Sequence, residues 1–247
     1  PRLPMHWTTR LLAPTDISVG PCAWRITMLA GEHADYVHAH PSLIVAAPDD
    51  DDAVLAAAAP RLAALPVLLG VAEPTFARRF AGQIEQRMQA LGRSRVEALV
   101  LHVDDPQELK SGGLLQTMFN LRQAGVVDQL GLASGDPLAV EWLAVNTAVR
   151  LLGVPYGMND QAVRYRALAQ ATAYGMAAVA LGAPPDEAAT RFALAESRRV
   201  LPVLDRPLPA DLEPMSDDEV AAAWDAYRTE HDEPAPLPRG RPPAGEG

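Results

Sequence analysis

Three groups of side chains in this chain have types and spacing that could do chemistry. His102 closes an apolar run, Ala98–Val103, where an imidazole can orient a polar group or move a proton. Four consecutive carboxylates, Asp49–Asp52, follow another such run. They could hold a cation or act as a base, with Asp49 and Asp50 nearest the run. They could equally supply the acidic first turn of the alanine-rich helix that begins at Ala53. His33, His38 and His40, with Asp35, have the side-chain types of a zinc site. On a predicted helix, however, residues two apart face different ways, so a polar helix surface is the reading and no metal is expected.

The elements that must position these groups are legible as a repeat. Apolar runs of five to seven residues occur at Ile17–Ala23, Leu43–Ala47, Val67–Val71, Ala98–Val103, Gln129–Ala133, Val149–Val154, Ala177–Leu181 and Val200–Leu204. Nearly continuous apolar character is the mark of parallel strands buried on both faces. Helical patterns lie between them. One runs from Pro74 to Gly92, with Phe76, Phe80, Ile84, Met88 and Leu91 on a stripe. Others span about Met28–His40, Gly113–Ala124 and Asp160–Tyr174, and Ser216 with Asp217, Asp218 and Glu219 caps a last one through about Tyr227. Trp142, Leu143 and Val145 suit helix packing on a sheet or a partner. Eight strand–helix units predict a single (β/α)₈ TIM barrel over residues 1–232. The Pro/Gly-rich segment 233–247 cannot build a core and reads as a disordered tail.

Composition narrows the function classes. The chain has 247 residues and a net charge of −10, which excludes nucleic acid or an anionic membrane surface as its main partner. Of its 21 basic residues one, Lys110, is a lysine. Cys22 is the single cysteine, so neither an intrachain disulfide nor an all-thiolate metal site can form. No apolar run reaches the ~20 residues of a membrane span. With no leader pattern after Arg2 and Arg10, the expected location is the cytoplasm.

The segment Phe76–Pro106 resembles the aldo/keto reductase stretch in which a helix ends at Leu-Gly and a strand runs into a Leu-x-x-His-x-x-Asp pattern. Leu114–Ser134 resembles the helix, turn and strand that follow. Val154–Asp160 and Ala171–Gly182 are similar to the sixth and seventh strand regions, and Trp7–Trp24 to an N-terminal hairpin and first strand. The resemblance implies a carbonyl reductase with a Tyr acid, a Lys that lowers its pKa, an Asp paired to that Lys, and a His. Only the His is matched, by His102. The Asp falls on Ala46 or Ala47, the Lys on Gly70 or Val71, and the loop that should hold the Tyr is Asp49–Asp52. The nicotinamide contacts fall on Ala133, Ser134, Gly153 and Leu181, and a phosphate contact on Arg206. Tyr156 matches a tyrosine that is structural in the family. From this follows the expectation of a degenerate barrel that is not a competent NAD(P)H-dependent reductase, holds no cofactor, and is retained as a binding or regulatory partner of another protein. The alternatives are a divergent oxidoreductase using NADP through Ser134 and Arg206, or a cofactor-free lyase or isomerase working through His102 with Asp49 and Asp50. The sequence names no small-molecule ligand.

Overall fold

The computed structural model describes residues 22–40, 42–62, 65–72, 79–103, 105–106, 109, 113–164, 166–197 and 199–231. The expected N-terminal hairpin, the tail 233–247, Pro74, Asp104 and Lys110 lie outside these residues. Eight strands close a parallel barrel in chain order: β1 (Ala23–Arg25), β2 (Ile44–Ala46), β3 (Val67–Ala72), β4 (Val96–His102), β5 (Val127–Ala133), β6 (Leu151–Val154), β7 (Ala177–Ala180) and β8 (Leu201–Leu204). The seam is the pairing of β1 with β8, Ala23 opposite Val203. Alternate residues point inward. Ala23, Val45, Leu68, Ala98, Val100, Ala133, Leu151, Ala177, Val179, Leu201 and Val203 form the barrel's inner core, while the other set packs under the helices.

The interior is tight because its side chains are small. At Gly131 an added Cβ would stand 2.6 Å from Leu151 Cβ and 2.9 Å from Val100 Cγ2. At Gly153 it would stand 2.3 Å from Ala133 Cβ.

Helices α1 (Ile26–Ala30), α2 (Ala34–Ala39), α3 (Asp52–Ala58), α4 (Phe80–Ala90), α5 (Leu114–Gln123), α6 (Pro137–Asn146), α7 (Ala167–Ala173), α8 (Glu187–Ala195) and α9 (Asp217–Glu230) surround the strands. The expected stops Gly92, Gly125 and Gly175 all adopt the left-handed conformation, at φ 63°, 73° and 66°. Ser216 and Glu219 form a full capping box on α9.

Two helices differ from the sequence pattern. The stretch from Met28 to His40 is broken at Gly31, whose backbone is extended, into α1 and α2. Asp160 forms an isolated bridge with Gly157, residues 162–164 and 166 form turns, and α7 starts only at Ala167. The fully buried Gln161 donates to the Met158 carbonyl and accepts from Arg164, side-chain bonds that replace a helical first turn. No helix among the described residues is long and apolar enough to cross a membrane.

Gly131→Ala should therefore lower stability by about 1–3 kcal/mol through overpacking. Urea denaturation should register this as a lower midpoint with an unchanged slope.

Candidate functional site

The strand ends put two cavities side by side at the C-terminal mouth of the barrel, the face where this fold concentrates its chemistry. One, of about 420 Å³, is lined by His102, Ser134, the β6 end (Val154 to Asp160), the β7 end (Ala180 to Pro185), Ala189, Ala193 and Pro202. The other, of about 410 Å³, is lined by Arg25, Val45, Ala47, Pro48, Asp49, Leu68, Gly70, His102, Leu181 and Gly182. His102, Leu181 and Gly182 border both. His102 thus stands on the partition between two compartments, each large enough for a small ligand.

On the β1–β4 side the charged groups form a knot. Asp50, buried, accepts from the Ala47 backbone N–H at 2.6 Å and from Arg25 Nη2 at 2.8 Å. The buried Arg87 of α4 donates to the carbonyls of Asp50 and Ala47 at 2.8 and 2.7 Å. Asp49 is exposed and reaches Arg25 Nη2 at 3.2 Å. Asp51 caps α3 by accepting from the Val54 N–H, and Asp52 accepts from Gln86. Of the four carboxylates only Asp49 lines a cavity; the other three hold the loop and the helix in place. Arg25 was not recognised from the sequence. Its signal was a charged residue directly after an apolar strand, which a barrel directs into the mouth.

The knot also fixes Pro48 over Gly70. A Cβ at Gly70 would meet Pro48 Cδ at 2.8 Å and the Ala46 carbonyl at 3.0 Å. At Gly70, one of the two positions that the resemblance gives to the catalytic ammonium, the side-chain space is therefore filled by a proline ring. Among its described lining residues the second cavity has neither a phenol nor an ammonium.

Tyr156 lines the first cavity, but its hydroxyl donates to the buried Glu196 at 2.8 Å. Glu196 also pairs with Arg164 and Arg199, and the Arg164 guanidinium lies over the Trp224 ring of α9 at 5.7 Å. Burial and the Glu196 carboxylate raise the phenol above its ordinary range, so Tyr156 keeps its proton and acts as a wall. The Asp160 carboxyl, on the same cavity, is raised by partial desolvation.

Ser134 is buried and accepts from the Asp136 N–H at 3.2 Å, leaving its own proton free to be donated. Arg206 is exposed. It donates to the Pro184 and Pro185 carbonyls beside the first cavity. The histidines of the first helical stretch do not converge. His40 stacks on Tyr36 and its Nδ1 lies 3.0 Å from the Tyr36 carbonyl, while His33 sits beside Glu32. Among the described residues no three His, Cys, Asp or Glu side chains gather as metal ligands would.

At the level of sequence, no family model and no curated protein matches the chain. Its three-dimensional likeness is extensive. The holo form of an aldo-keto reductase from Bacillus halodurans superposes with a TM-score of 0.67 at 13% identity, covering 87% of this chain and 94% of that one. An aldo-keto reductase from Klebsiella pneumoniae in complex with NADPH gives 0.65 at 14% identity, covering 90% and 94%. One from Bombyx mori in complex with NADP gives 0.60 at 12% identity, covering 84% and 89%. The fold of this chain is the (β/α)₈ barrel of the aldo-keto reductases.

These structures correct one expectation. A barrel without a cofactor was anticipated from the missing contacts, yet solved barrels of this fold hold NADPH or NADP. The physical reason is that strand-end side chains are only part of what holds a ligand. The first cavity keeps its volume, a Ser134 hydroxyl and the nearby Arg206, even though Ala133 and Leu181 close the space a side chain at position 153 would need.

Two outcomes test this geometry. Asp50→Ala removes the buried carboxylate that pairs with Arg25 and lies beside the buried Arg87, and should cost about 3–5 kcal/mol. Asp49→Ala, at an exposed pair, should cost at most about 1 kcal/mol. Equal effects in thermal unfolding would contradict the different roles given to the two carboxylates. Burial also pushes the Cys22 thiol up to about 12. In the fold Cys22 and Tyr156 both hold protons that the unfolded chain loses earlier. Their stabilising contribution is complete below about pH 8.5 and declines as the pH rises toward 12. The combined Cys22→Ala, Tyr156→Phe variant should show a flatter decline across that window.

Proposed function

We propose that this barrel binds a nicotinamide nucleotide, NADP or NADPH, in the cavity on the β5–β8 side, without the family's carbonyl reduction, and serves as a binding or regulatory partner. The observation that carries the reading is Pro48 packed over Gly70. Ordinary reduction needs a phenol made acidic by an adjacent ammonium, and at Gly70, one of the two positions expected to carry that ammonium, a proline ring fills the side-chain space. The nucleotide itself supplies hydride chemistry when bound. Ser134 would donate to its carboxamide, His102 and Leu181 would border its ring, and Arg206 stands outside the cavity for a phosphate. Asn159 and Asp160 also line the cavity, and most of its other walls are apolar. Tyr156 shapes the site through its ring, since its hydroxyl is held by Glu196.

A second reading rests on one observation, that His102 borders both cavities. A proton donor between two ligand compartments is the arrangement a divergent oxidoreductase would use.

Titration with NADPH, followed by its fluorescence and by thermal shift, tests both. Binding should stabilise the fold by about 2.7 kcal/mol at a hundredfold excess over Kd. No NADPH should be consumed across a panel of aldehydes and ketones. Absence of any shift with NADPH, NADP, NADH or NAD at millimolar concentration overturns the nucleotide reading. Consumption that disappears in His102→Ala would favour the oxidoreductase instead. Affinity capture from the source cell should recover a protein partner whose binding changes with nucleotide.

A further inference from the structure

The cavity on the β1–β4 side has a polar end and an apolar end. At its polar end stands the half-buried guanidinium of Arg25, paired to the buried Asp50, while the buried Arg87 donates to the carbonyls of Asp50 and Ala47. A second carboxylate on Arg25, Asp49, has a side chain 77% exposed and reaches it at 3.2 and 3.4 Å, the longest bonds of the cluster. An exposed ion pair of that kind contributes little, because water screens it and holding it costs side-chain entropy. Both aspartates are held by Nη2 of Arg25, and Nη1 makes no hydrogen bond to a described residue. At the apolar end Val45 and Leu68, 2% and 0% exposed, form a floor. Gly70 and Pro48 line the wall between the two ends.

We infer that this cavity is a binding site for a small monocarboxylate with a short apolar tail, and that Asp49 is its displaceable stand-in. The incoming carboxylate takes the Arg25 guanidinium through Nη1 and Nη2, a planar fork that matches two carboxylate oxygens. Asp49 swings into solvent, where it is already largely hydrated. The tail lies on Val45 and Leu68, with Leu181 beside it. His102 closes the far wall and separates this ligand from the neighbouring compartment. An ammonium ligand is disfavoured, because the only carboxylate it could reach, Asp49, is shared with Arg25. A neutral amide of the same shape fits the floor but brings the Arg25 guanidinium no charge to replace that of Asp49. The site uses none of the residues assigned to nucleotide binding except those on the partition, and it stands whether or not a nucleotide binds.

Calorimetric titration of the nucleotide-free protein, in buffer without other carboxylates, with hexanoate, hexanamide and hexylamine tests the inference. Hexanoate should bind at least tenfold tighter than hexanamide, and hexylamine should not bind. From propionate to hexanoate the affinity should rise about fourfold per methylene. Asp49→Asn should tighten hexanoate several-fold, since the competitor loses its charge while the buried Asp50 pair stays intact. Arg25→Gln should abolish binding; because it also breaks the Asp50 pair, Asp49→Asn is the decisive variant. Equal binding of hexanoate and hexanamide, weaker hexanoate binding by Asp49→Asn, or no heat with hexanoate at 10 mM (roughly 3 kcal/mol of binding at most) would each overturn it.

Discussion

The geometry of the barrel mouth depends on one buried carboxylate. Asp50 is removed from water between the Arg25 guanidinium and the Ala47 N–H, and Arg87 reaches over from α4 to the two adjoining carbonyls. A carboxylate in such a place is tolerable only with full pairing. The pairing in turn dictates that the β2 end turns sharply, that Pro48 lies against β3, and that α3 starts at Asp51 and Asp52. Three separate elements, β1, the β2–α3 turn and α4, are joined at this point. The same interaction closes the side-chain space at Gly70.

Much of the architecture was readable in advance, and the reason is physical. Strands buried on both faces must be apolar at every position, so runs such as Leu43–Ala47 and Ala177–Leu181 reported themselves. Glycines at helix ends did so because no other residue takes a left-handed backbone cheaply. What escaped notice depends on the third dimension. Arg25 belongs to β1 although it is charged, since its side chain leaves the core through the mouth. Gln161 blocks a helical turn by bonds to Met158 and Arg164 that no periodicity encodes. The buried set of Tyr156, Glu196, Arg164 and Trp224 joins residues up to 68 positions apart. His102 was identified by resemblance, and its place between two cavities emerged only from the fold. Asp49–Asp52 looked like one acidic unit and proved to be four groups with separate partners.

The two compartments differ in character, and the difference follows from which strands build them. Strands β5 to β7 end in small or apolar residues, Ala133, Val154 and Ala180, so their side of the mouth is mostly apolar, with Ser134, Asn159 and Asp160 among its polar groups. Strand β1 ends in Arg25 and β2 leads into Asp49 and Asp50, so the opposite side is charged. Leu181 and His102 keep the two apart. A barrel can change one side by altering a single strand end without disturbing the other, because the residues of the mouth come from the ends of several different strands.

The seam between β1 and β8 has a further consequence during synthesis. The ribosome releases β1 near the start of the described chain and β8 only after seven more units, so the first edge waits unpaired until nearly the whole polypeptide has emerged. Its few paired residues, Ala23 with Val203 and Trp24 with Leu204, must close a loop spanning almost the whole protein. Loop-closure entropy rises only slowly with length, so the delay is chiefly one of waiting for the partner. A nascent fragment lacking β8 would present two open sheet edges, on β1 and β7, to any neighbouring strand or chaperone.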